Sequence, residues 1–104
     1  MVNRFEDDRH IKWAKAVKQR DNYTCQICGR EGVKLHSHHL DSYDTHPNVR
    51  YSVENGVTLC FSCHILMFHK QYGSGSNTRF QFEEFKKIMA IIKVAIQNNK
   101  IEKK

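Results

Sequence analysis

The chain has 104 residues, 39% of them hydrophobic, which fits one domain with a small core that needs an extra staple. Lys and Arg number 17 against 11 Asp and Glu, a net charge of +6 that favours a polyanionic partner, most simply nucleic acid. The start MVNRFEDDRH lacks the apolar segment of a signal peptide, and no apolar run is long enough to cross a membrane. The expectation is an intracellular, cytoplasmic chain without membrane contact, whose thiols stay reduced.

Residues 8–20 are predicted to form a helix that Asp7 or Asp8 can cap. Trp13 and Val17 stand at i, i+4, with Ile11 and Ala14 beside them. Asp21-Asn22 ends it. CQICGR (Cys25–Arg30) is a tight C-x-x-C knuckle. VKLHSHH (Val33–His39) alternates as a strand does, with Val33, Leu35, Ser37 and His39 on one side. Residues 41–50, rich in Asp, Ser, Thr and Asn, read as a loop. Asn55-Gly56 is a turn signal before a short strand, Val57–Cys60. From about Phe61 the chain can turn helical until Gly73. SGSN (74–77) reads as a linker. A last helix over about 78–99 starts with a capping box, Thr78 and Gln81, and the tail NNKIEKK is expected to fray.

Cys25 and Cys28, and Cys60 and Cys63, form two C-x-x-C pairs 31 residues apart. Two residues between thiolates let both sulfurs reach one tetrahedral ion, and four thiolates leave no open position for water. The pattern therefore points to structural zinc, whose binding free energy becomes folding free energy. The competing arrangements are free core cysteines, a thioredoxin-type redox pair, a zinc redox switch or an iron–sulfur cluster. A redox pair needs a βαβ context that is missing here.

HSHHL (His36–Leu40) gathers three histidines midway between the knuckles, and His64 follows Cys63 directly. Closing both knuckles on one ion can bring His64 to His38 and His39. Two neutral imidazoles can hold a second divalent ion, and a third can take a proton from water near neutral pH. That set suits phosphodiester hydrolysis. The bland alternative is a group of surface histidines beside a zinc site.

HHL at 38–40, Asn55 and His64 within CFSCH resemble the HNH motif of the ββα-metal nucleases. Fifteen residues separate His39 from Asn55 and eight separate Asn55 from His64. KAVKQRDNYTCQICG (Lys15–Gly29), NGVTLCFSCH (Asn55–His64), FHKQYG (Phe68–Gly73) and NTRFQFEEF (Asn77–Phe85) resemble phage-type and homing-type HNH endonucleases. The resemblance implies an α+β fold: one small zinc-stapled, treble-clef-like ββα-metal domain over residues 1–104, with its core at about 23–73 and flanking helices. It implies His39 as general base, and His38 and His64 as ligands of a catalytic divalent ion. Asn55 would fix the inter-strand loop or orient His39; the plainer reading is an ordinary Asn-Gly turn residue. The products would be 5′-phosphate and 3′-hydroxyl DNA ends, in a bacterial or phage-infected cell. Intron homing, phage packaging and restriction all suit such an enzyme.

Many relatives carry aspartate at the position of His38. Imidazole there favours Mn²⁺ or Ni²⁺ over Mg²⁺. His38 and His39, adjacent on a strand, can serve one site only where the strand ends or bends. His69 lies five residues after His64, about 140° round an α-helix, so a supporting role is expected unless the helix distorts. His36 is a further supporting candidate, and His10 and His46 are background. Lys12, Lys15, Lys18 and Arg20 form a candidate phosphate-contacting ridge, with Arg50, Lys70 and Arg79 nearer the site. The apolar face Ile88–Ile96 is expected to cover the back of the zinc fold, or else to serve a homodimer or partner protein. The competing class is a non-catalytic zinc module that binds nucleic acid or protein.

Overall fold

The computed structural model describes residues 4–73 and 78–102, with side chains as far as residue 97. Helix α1 (Asp8–Arg20) begins where Asp7 accepts a hydrogen bond from the Arg9 amide at 2.9 Å, satisfying one of the free N–H groups of the first turn. His10, Trp13 and Val17 are its buried residues, and Ile11 is exposed. The helix ends with two left-handed residues, Asn22 (φ 56°) and Tyr23 (φ 52°).

The knuckle 25–30 is closed by the Cys25 amide on the Arg30 carbonyl and tied to the second strand by the Gln26 amide on the Thr58 carbonyl, both at 2.9 Å. Strand β1 (Leu35–His39) pairs antiparallel with β2 (Gly56–Cys60), with Leu35 opposite Cys60, His38 opposite Val57 and His39 opposite Gly56. Val33 lies outside the ladder and is exposed, so the strand begins two residues later than its alternation suggests.

Asn55-Gly56 is not a hairpin turn. The strands are joined through residues 40–55, ending in a 3₁₀ turn, Val53–Asn55, and Gly56 opens β2 in extended conformation at φ −126°. Glycine is required there by packing. A Cβ on Gly56 would stand 2.4 Å from Val17 Cγ2 and 2.8 Å from Trp13 Cζ2, so only glycine lets β2 approach α1 this closely.

After β2 the chain is π-helical over Ser62–His69, continues as α2 (Lys70–Tyr72) and stops at Gly73, whose φ is 72°. Helix α3 (Thr78–Glu102) runs three residues past the expected end at 99, through most of the tail expected to fray. Thr78 and Gln81 do not form a capping box: the Thr78 hydroxyl donates to the Leu40 carbonyl, and Gln81 Oε1 is buried without a partner among the described residues. The 74–77 linker lies outside the described residues.

The core joins the cysteines to Leu40, Val57, Leu59, Phe68, Phe82 and Phe85, with Met89 partly buried against it. Beyond that point α3 departs from expectation. Ile88, Ile91, Ile92, Val94 and Ile96 are 43–69% exposed, so this face does not cover the zinc fold. Helices around one two-stranded antiparallel sheet, with a cysteine cluster able to hold a metal, make the protein α+β. Among the described residues, no helix is long and apolar enough to cross a membrane.

Candidate metal centres and active site

The two knuckles meet. The sulfurs of Cys25, Cys28, Cys60 and Cys63 all lie within 4.8 Å of one another, and Cys28 Sγ is 3.6 Å from Cys60 Sγ. Zinc–sulfur bonds of about 2.3 Å give a tetrahedron with edges of about 3.8 Å, so the cluster has the size that zinc requires. The charges also call for a cation. Burial, and then the neighbouring Cys25 sulfur, push the Cys63 thiol far up. Burial raises Cys25 as well, but hydrogen bonds from backbone N–H groups outweigh it and bring that thiol down to about 7. A metal ion held by the four sulfurs would stabilise all of them as thiolates.

His36 and His38 lie on the sheet face toward the π-helical segment, and His38 packs edge-on to Phe68, with ring centroids 4.9 Å apart. His38 is buried and His64 and His69 are half-buried; their ligand nitrogens lie within 4.8 Å of one another. His69 shares this cluster because the helix is π rather than α. Hydrogen bonding from i to i+5 brings residues five apart together, where α geometry separates them. Spacing alone could not reveal that.

Hydrogen bonds fix much of the tautomer pattern. His69 Nδ1 donates to the Gly73 carbonyl at 2.7 Å, which leaves the lone pair on Nε2. That atom is 2.9 Å from His64 Nε2, which is 3.2 Å from His38 Nδ1. His64 Nε2 carries at most one proton and cannot satisfy two neighbours. A cation among the three nitrogens would satisfy all of them. Metal–imidazole bonds of about 2.0–2.1 Å place ligand nitrogens about 3.3 Å apart, close to these spacings. Burial, and then repulsion from the other imidazoles, lower His38 to about 2 and His64 to about 3, so both imidazoles are neutral near pH 7, the form that can ligate a metal. His36 Nδ1 is 2.8 Å from His64 Nδ1 and orients that ring from behind.

His39 points to the opposite sheet face. Its ring stacks on Trp13 with centroids 3.7 Å apart, and its Nε2 donates to the Arg50 carbonyl at 2.9 Å. The lone pair therefore lies on Nδ1. Burial, opposed by the Arg50 hydrogen bond, lowers His39 to about 4. His39 closes β1, and a cleft of about 810 Å³ is nevertheless lined by His39 together with His36, His38, His64 and His69.

Asn55 is buried. Its Oδ1 accepts from the Asp41 amide at 2.7 Å and its Nδ2 donates to the Asp41 carbonyl at 3.0 Å, pinning the chain just past His39. Arg79 binds Asp41 at 3.0 Å and Asn55 at 3.1 Å, so its guanidinium is already engaged by the fold although the side chain is exposed. Arg20 is likewise engaged, by Asp21 and by the carbonyls of Val53 and Gly56. The Arg50 guanidinium lies 4.3 Å over Tyr43, and Lys70 is exposed. The His46 ring pairs with the hydroxyl of its neighbour Thr45 at 2.8 Å. His10 proves central: it is buried and lies 5.7 Å from the His39 ring. Its spacing from Trp13 and Val17 on one helix face was the available signal.

The HNH endonuclease model matches residues 25–66. A relative named Anaredoxin, from Nostoc sp., is 36% identical over 61 residues, covering 59% of this chain and 76% of that protein. No solved structure matches significantly. The matched segment runs from the first cysteine through both strands into the π-helix, and on this match and that identity the chain belongs to the HNH endonuclease family.

Proposed function

We propose that the protein is a metal-dependent DNA endonuclease that hydrolyses phosphodiester bonds and leaves 5′-phosphate and 3′-hydroxyl ends. The observation that carries the reading is the convergence of His38, His64 and His69 nitrogens in one cleft with His39, whose lone pair is on Nδ1. In this reading His39 Nδ1 takes a proton from the attacking water, while the Arg50 carbonyl holds the Nε2 proton and stabilises the imidazolium that forms. A divalent ion held by His38, His64 and His69 would neutralise charge on the phosphate and the leaving oxygen. His36 orients His64, and Asn55 fixes the chain next to the base. Lys15 and Lys18, which line the cleft, attract the phosphates. Cys25, Cys28, Cys60 and Cys63 hold zinc as a staple only.

The test is nicking of supercoiled plasmid by the zinc-loaded protein with Mn²⁺, Ni²⁺ or Mg²⁺. Cleavage that falls by about 10² or more in a folded His39→Ala variant supports the reading. DNA binding without cleavage under every ion would favour the non-catalytic zinc module. Equal cutting by both proteins would remove His39 from the mechanism.

A further inference from the structure

One wall of the cleft has no part in the histidine chemistry. Lys15, Lys18 and Tyr23 line it, together with Ile11, which is 48% exposed. Tyr23 is 47% exposed, and its ring makes no ring contact or hydrogen bond among the described residues. The backbone that presents it is unusual. The Tyr23 amide donates to the Lys18 carbonyl at 2.8 Å, closing the helix end, and such an end needs one left-handed residue, which Asn22 supplies. A second left-handed residue follows at once, and it is a tyrosine, a residue that rarely adopts this conformation. Tyr23 and Lys18 line the same cleft as His36, His38 and His64.

Resting on the nuclease reading, we propose that Tyr23 is a stacking platform for an unpaired base next to the scissile phosphate. The substrate class is then DNA that is single-stranded or locally unpaired. An exposed aromatic ring that lines one cleft with two lysines matches what single strands need: a π-face for the base and cations for the backbone. In an intact duplex the base faces are already stacked and cannot meet the ring.

The experiment is a titration of the full-length zinc-loaded protein, without added divalent ion, with oligonucleotides that carry 2-aminopurine. The probes are a single strand, the same strand in a duplex, and the duplex with a one-base bulge. Wild type and Tyr23→Phe are expected to quench the single-strand and bulge probes and to bind the paired duplex at least about tenfold more weakly. Tyr23→Asn, which tolerates the left-handed backbone, is expected to lose the quenching and about tenfold in affinity, with zinc content unchanged. Equal wild-type affinity for duplex and single strand, or wild-type behaviour of Tyr23→Asn, overturns the proposal. The titration reads the cleft wall whether or not anything is hydrolysed. Tyr23-dependent single-strand binding without plasmid cleavage would therefore refute the nuclease reading alone.

Discussion

The imidazole of His39 lies flat on the indole of Trp13, with ring centroids 3.7 Å apart and planes 13° apart. The indole is itself anchored, since Trp13 Nε1 donates to the Ser52 carbonyl at 2.7 Å. Two carbonyls of one short segment, Arg50 and Ser52, thus hold both rings of the stack. Trp13→Leu is expected to loosen His39 and lower kcat by about 10–100-fold with little change in KM, because positioning acts on the transition state more than on substrate binding. Trp13→Phe keeps an aromatic face and should recover much of the loss. Single-turnover cleavage at saturating DNA measures it, and a matching rise in KM would count against a positioning role.

His69 and His36 should separate by the size of their effects. His69 faces the proposed ion directly, whereas His36 reaches it only through His64. His36→Ala is expected to weaken Mn²⁺ or Ni²⁺ binding by about 10–100-fold, the usual range for a supporting partner. His69→Ala should weaken it more. Calorimetric titration of zinc-loaded protein gives both numbers. With three imidazole ligands the site should also favour Mn²⁺ or Ni²⁺ over Mg²⁺.

Much of this arrangement was legible from spacing. The C-x-x-C pairs reveal their cluster because two intervening residues permit little else, and α1 follows from the Trp13–Val17 period and its aspartate cap. The place of His69 was hidden because a π-helix changes which residues share a face, and no local residue type announces one. Gly56 looked like a turn glycine, since close approach to Val17 and Trp13 is a tertiary fact. Arg79 looked like a free cation because Asp41 and Asn55, far away in sequence, are what bind it.

Gly56 gives a stability prediction that is independent of catalysis. The atoms in the way of a Cβ belong to Val17 and Trp13, both buried and tightly placed. Gly56→Ala should cost about 1–3 kcal/mol through overpacking. Thermal unfolding of the zinc-loaded protein would then shift down by roughly 4–8 °C per kcal/mol. Cleavage should fall as well, because Trp13, 2.8 Å from such a Cβ, is the side chain stacked on His39. An unchanged Tm would mean that β2 moves away from α1 freely.

Zinc removal should unfold the domain and not merely inactivate it. The four sulfurs sit inside the only core cluster found among the described residues, so losing the ion leaves buried thiolates or protonated thiols without their shared partner. Strong chelation is expected to abolish the cooperative thermal transition, and Cys63→Ser should lower zinc occupancy and Tm together. A folded, zinc-free protein with a normal transition would overturn the structural role.

Acid should destabilise the fold through its buried histidines. His39 titrates near 4 when folded, and His64 and His38 lower still, against about 6.5 unfolded. Between those values the unfolded chain binds more protons than the folded one, so stability rises with pH. The contribution of His39 is complete above about pH 6.5 and is lost as the pH falls to about 4. The windows of His64 and His38 extend to lower pH. His39→Phe keeps a ring on Trp13 but cannot titrate. It should therefore reduce the pH slope of unfolding free energy in that window by up to one proton, even if it lowers the stability overall. Urea unfolding at several pH values, with zinc retention followed in parallel, separates this effect from thiolate protonation. Identical slopes for wild type and variant would show that His39 keeps its ordinary pKa in the folded protein.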